Sequence, residues 1–108
     1  MDPSRDPVEI FVDAMRDPSG RKFVVFPLDS CPYSELAVDA LRTAYHEPGK
    51  VWQMYPVARQ QKQRVKAFLQ ELVAALGDES YSGTFPAVFV DGNYIGGWTD
   101  LSQYLRDH

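Results

Sequence analysis

The chain has 108 residues, enough for one domain over 1–108 with a modest core and too few for two. It is 44% hydrophobic and 13% aromatic, which excludes a disordered tail, and its net charge of −4 argues against a general nucleic-acid-binding surface. One cysteine excludes an internal disulfide and a multi-cysteine zinc site, so a reducing, cytoplasmic compartment is expected.

The opening stretch MDPSRDPVEIFVDAM places acids and prolines ahead of its apolar residues and reads as neither a signal peptide nor a transit peptide. No run approaches the ~20 apolar residues of a membrane span, so no membrane partner is expected. A helix is predicted over about 6–16. Asp6 can cap it, Pro7 suits the first helical position, and Glu9 can complete a capping box. Val8, Phe11, Val12 and Met15 share one face of it. DPSG (17–20) reads as a turn. KFVVF (22–26) is a continuous apolar run suited to a central strand covered on both faces.

The period then changes. Leu36, Ala37, Ala40, Leu41 and Ala44 define a helix over about 31–45, stopped by EPG (47–49). VWQMY (51–55) alternates as a strand does. The clearest helix spans about 58–76, with Val65, Phe68, Leu69, Leu72, Val73 and Leu76 on one stripe and Gly77 closing it. DESYSGTF (78–85) is a loop. AVFV (87–90) and NYIG (93–96) flank Asp91-Gly92, a hairpin turn signal. Thr99 is a candidate cap for a last helix that turns Leu101, Tyr104 and Leu105 inward. The order α-β-α-β-α-β-β-α makes the first two strands parallel through a right-handed crossover and the last two antiparallel. The predicted class is therefore α/β, a mixed four-stranded sheet with helices on both faces.

In this layout Cys31 lies just past the C-terminal end of a strand, at the first turn of a helix. Ligand sites of open α/β sheets collect at that edge. Unpaired N–H groups at a helix start favour thiolate, the nucleophilic form, over thiol. An inert buried cysteine is the commoner fate of a lone thiol, and against it stand the loop-to-helix placement and the Pro32-Tyr33 pair that follows. GTFP (83–86) places a proline directly before a strand, as an ordinary loop proline or a cis one. GGWTD (96–100) sets two glycines ahead of a helix start, a generic anion site.

Together CPYS (31–34), TFP (84–86) and GGWTD resemble the glutaredoxin family of the thioredoxin fold, a three-layer sandwich. The likeness runs from about residue 22 to 108. It implies a glutathione-dependent thiol–disulfide oxidoreductase with Cys31 as nucleophile. It further implies that Pro86 is cis and belongs with Phe85 to the glutathione-binding residues, Phe85 pairing through its backbone with the cysteine of the tripeptide. Gly97, Trp98 and Thr99 would form the turn that offers N–H groups, and Thr99 a hydroxyl, to the γ-glutamyl carboxylate. Asp100 would meet the γ-glutamyl ammonium, and Tyr33 would line the groove.

Four features depart from the family pattern. Ser34 stands where a resolving cysteine would be, which leaves a one-thiol route in which Ser34 can at most donate a hydrogen bond to the Cys31 sulfur. The substrates implied are glutathionylated proteins or small mixed disulfides, with glutathione as co-substrate. Leu28 replaces a lysine usual three positions before the cysteine, and Asp29 adds a carboxylate; both disfavour the thiolate. A substitute cation can come from ARQQKQR (58–64), where Arg59, Lys62 and Arg64 gather, unless these form only a solvated helix face. That helix is long, and Trp98 is large for its position: a groove wall, a protein contact, or a ring buried by the first helix. A monomer is expected. The alternatives are a dimer holding a glutathione-ligated [2Fe–2S] cluster through Cys31, and a binding module with weak turnover.

Overall fold

A computed structural model describes residues 6–17, 19–77 and 81–108. Helix α1 spans Pro7–Arg16, β1 Phe23–Phe26, α2 Pro32–Tyr45 and β2 Trp52–Met54. A 3₁₀ turn at Arg59–Gln61 leads into α3, Lys62–Ala75, followed by β3 Ala87–Val90, β4 Asn93–Gly96 and α4 Trp98–Asp107. The sheet order is β2-β1-β3-β4. β1 runs parallel to β2, with Phe23 beside Trp52, and antiparallel to β3, with Phe23 beside Val90. The β3–β4 hairpin turns at Asp91-Gly92, both with positive φ (50° and 82°), the geometry that the Asp-Gly pair favours. Of the predicted 17–20 turn, Gly20 N–H donates to the Asp17 carbonyl at 2.9 Å; residue 18, like 78–80 of the next predicted loop, lies outside the described residues.

Strand alternation divides the core. Phe26, Ala87 and Phe89 face α1 and α3, where they meet Val12, Leu69, Leu72 and Val73. Phe23, Val25, Val88 and Val90 face α2 and α4, where they meet Ala37, Leu41 and Leu101. The predicted stripes of the first and third helices all pack onto the first cluster, and β1 is buried as an inner strand should be. The layers are helices, sheet, helices: the thioredoxin-like sandwich.

Four local expectations differ from what is observed. The long helix predicted over about 58–76 is α3 from Lys62 only, its first turn being the 3₁₀ turn at Arg59–Gln61. The buried face of α2 is Ser34, Ala37, Val38 and Leu41; Leu36 is 45% exposed and Ala44 is also outside. These positions form an i, i+3, i+4, i+7 stripe that includes Ser34, whose Oγ accepts the Leu28 N–H at 2.9 Å. Leu36, two positions on from Ser34, lies off that stripe and faces outward. At α1, Asp6 caps through the Val8 N–H at 2.8 Å, and Glu9 makes no return bond. At α4 the N-cap is Gly97 rather than Thr99, because the Asp100 carboxylate reaches back to the Gly97 N–H at 3.1 Å and starts the helix two residues earlier.

Candidate functional site

Cys31 is the N-cap of α2, with an extended backbone and no capping bond from its side chain. Pro32 at the first helical position lacks an N–H that the helix could not have paired anyway. The thiol is half-buried against the first core cluster, and its Sγ lies 3.9 Å from the Phe85 carbonyl oxygen. Burial pushes the thiol up. The Ser34 hydroxyl, the N–H groups of Ser34 and Tyr33, and the Arg59 guanidinium outweigh it, so the thiol lies below its ordinary value. Ser34 is 1% exposed; with its oxygen accepting from Leu28, its own O–H is free to donate to the sulfur.

Residue 28 brings no cation, and the side chain of Leu28 is buried in the core. The charge arrives from the 3₁₀ turn: Arg59 donates to the Ser30 carbonyl at 2.8 Å and so stands over the cysteine loop. Of the three basic residues singled out in 58–64, this is the one the fold brings there. Lys62 is half-buried and Arg64 exposed, and neither side chain makes a hydrogen bond or ion pair with a described residue.

The remaining predicted residues converge. Tyr33, Phe85, Gly97, Trp98, Thr99 and Asp100 line one cavity of about 230 Å³, together with Ser82 and Thr84. Tyr33 is 61% exposed at its mouth. Pro86 does not line the cavity; it is fully buried under it, joined to Phe85 by a cis peptide. Gly97 sits against it, and a Cβ there would stand 3.4 Å from the Pro86 carbonyl oxygen. Gly96 has φ +125°, and a Cβ there would collide with the Asp100 carboxylate, so the first glycine is required by the turn itself. At the start of α4 the N–H groups of Trp98 and Thr99 have no intrahelical acceptor and border the cavity. Trp98 packs against the cluster on the α2–α4 side of the sheet, whereas α1 covers the opposite side, so the first helix does not bury the ring.

A hydroxyl network around the cavity has no counterpart in the sequence reading. Tyr81 donates to the Thr84 carbonyl at 2.7 Å, and Ser82 Oγ is 3.0 Å from Thr84 Oγ1 and 2.8 Å from the Tyr94 hydroxyl. Burial pushes the Tyr81 phenol well up, with Tyr94 adding to it, so it stays a neutral donor. The network braces the loop that carries Phe85. Its only sequence signal is a local excess of Tyr, Ser and Thr.

No family model matches the sequence. A probable glutaredoxin of Acanthamoeba polyphaga mimivirus is 31% identical over 83 residues, 77% of this chain and 76% of its own length. Oxidized glutaredoxin 2 of Chlamydomonas reinhardtii superposes with a TM-score of 0.60 at 22% identity, covering 93% of this chain and 82% of that one. A buckwheat glutaredoxin–glutathione complex superposes with a TM-score of 0.57 at 21% identity, covering 93% and 79%. With that sequence identity over that share of both lengths, and the same fold beneath it, the chain belongs to the glutaredoxin family and carries the fold of a thiol oxidoreductase.

Proposed function

We propose that the protein reduces glutathione mixed disulfides through Cys31 alone. The thiolate attacks the glutathionyl sulfur of a mixed disulfide, forming a Cys31–glutathione disulfide and expelling the other sulfur as a thiolate, which takes a proton from water. The thiolate of a second glutathione attacks the same glutathionyl sulfur. That step releases glutathione disulfide and restores the Cys31 thiolate. In the net exchange one mixed disulfide and one free glutathione become the free thiol and glutathione disulfide, the proton of that glutathione matching the one the thiol takes up, and no second protein thiol is needed.

The observation that carries this reading is the convergence of Cys31 with one cavity through Phe85, whose carbonyl meets the sulfur and which itself lines the groove. The tripeptide's γ-glutamyl carboxylate suits the free N–H groups of Trp98 and Thr99. Asp100 spends one oxygen on Gly97 and has capacity for the ammonium. Arg59, exposed above Ser30, suits the glycine carboxylate in place of a residue-28 lysine, and it weakens the case for a module without turnover. The buckwheat relative was crystallised with glutathione.

The test is steady-state reduction of a small glutathione mixed disulfide with glutathione as reductant. Ping-pong kinetics are expected. Absence of turnover in folded protein rejects the proposal, and visible absorption of anaerobically purified protein tests the [2Fe–2S] alternative on the same sample.

A further inference from the structure

A second cleft, of about 560 Å³, opens on the other flank of α2. Pro27, Leu28, Val38, Met54, Pro56 and Val57 give it an apolar floor. Asp29, Glu35 and Asp39 rim it; all three are exposed and none forms an ion pair with a described residue. Among the described residues that line it the one cation, Arg42, is held by Glu47 at 3.2 Å, and Arg59 stands at its Ser30 edge, held by the Ser30 carbonyl. The cleft shares no lining residue with the Trp98 cavity, yet both reach the cysteine turn, one through Ser30 and Ser34 and the other through Tyr33.

We propose that this cleft receives a basic, aliphatic segment of the protein half of the mixed disulfide: a Lys or Arg next to an apolar residue, close in sequence to the glutathionylated cysteine. The inference rests on the function proposed above, in which the tripeptide takes the Trp98 cavity and the other sulfur must leave elsewhere. An apolar floor under unpaired carboxylates matches a side chain with a hydrocarbon stem and a cationic head. The cleft begins one residue before Cys31, so a segment within about three residues of the reacting cysteine reaches it at ~3.3–3.6 Å per residue. A second copy of this chain, itself at −4, is repelled by the same rim.

Three glutathionylated peptides alike except for Lys-Leu, Gln-Leu or Glu-Leu beside the cysteine test this, with a small mixed disulfide as control. The basic peptide is expected to exceed the acidic one in kcat/KM by about tenfold at low salt, the gap closing as salt rises. Asp39→Lys, on an exposed position well down α2, is expected to shrink that preference by about three- to tenfold with the small substrate unchanged. Glu71→Lys, away from the cleft, should leave it intact. Equal use of the three peptides, or an equal effect of Glu71→Lys, overturns the proposal. A chemistry-free arm keeps the two readings apart. The Lys-Leu peptide with serine for cysteine should shift the NMR signals of Val38, Met54 and Val57, and shifts confined to Trp98 and Thr99 overturn the cleft. If no substrate turns over, the proposed function fails and this binding result still decides the cleft.

Discussion

The two helices that meet the site, α2 and α4, both start from an extended N-cap residue that lends no side-chain bond to the helix, and they use their free N–H groups differently. α2 starts at Cys31 and supplies its own anion. Its third residue, Ser34, is buried, ties the helix to Leu28 and turns a hydroxyl toward the sulfur. α4 starts at Gly97. Its third residue, Asp100, is exposed and folds back on the Gly97 N–H, leaving those of Trp98 and Thr99 without an intrahelical acceptor. In the function proposed above, the same local device would serve a nucleophile at one helix and a docking point at the other. The loop through Phe85 and Pro86 brings the two together.

The comparison breaks most completely at Cys31. Cys31→Ser should reduce mixed-disulfide turnover to background while the melting curve stays cooperative, because a hydroxyl is a far poorer nucleophile at neutral pH. Next in size is Asp100→Asn, which keeps an oxygen for the Gly97 N–H and removes only the charge. Glutathione use should weaken by roughly five- to a hundredfold, the worth of a charge-assisted hydrogen bond of about 1–3 kcal/mol. A lower melting temperature with unchanged glutathione kinetics would confine Asp100 to capping.

Ser34→Ala sharpens the comparison from the other helix. It strands the buried Leu28 N–H, at about 1–3 kcal/mol of stability by urea unfolding, and it should raise the pH at which iodoacetamide trapping of Cys31 titrates. The smallest effect is expected of Arg59→Gln, which should move that titration upward slightly and less so at high salt, since the guanidinium is exposed. The sign for stability follows from a thiol lowered in the folded state. Its contribution is present above the unfolded-state pKa and disappears as pH falls through the folded one. Both variants should flatten that dependence.

Most of the fold was legible because its signals are local. Val65 through Leu76 carry an unbroken helical stripe, and Asp91-Gly92 needs its positive φ values whatever surrounds it. The α2 face was not, because its stripe includes a buried serine. Counting only apolar side chains selected Leu36 and Ala44, while the buried stripe is Ser34, Ala37, Val38 and Leu41, with Ser34 bonded to Leu28. Thr99 was misplaced as a cap for a related reason: a carboxylate three residues along can start a helix at glycine. At the site, the residues the resemblance singles out, Tyr33, Phe85 and 97–100, line one cavity. Motif spacing could not choose among Arg59, Lys62 and Arg64, since only the chain's path through the 3₁₀ turn decides which reaches Ser30.

The most direct measurement of one-thiol chemistry is the intact mass of the protein after treatment with a small glutathione mixed disulfide, and again after added glutathione. One glutathionyl adduct, mapped to Cys31 and discharged by glutathione with release of glutathione disulfide, is the predicted result. Protein that takes up no adduct, or an adduct that glutathione cannot remove, would contradict the account.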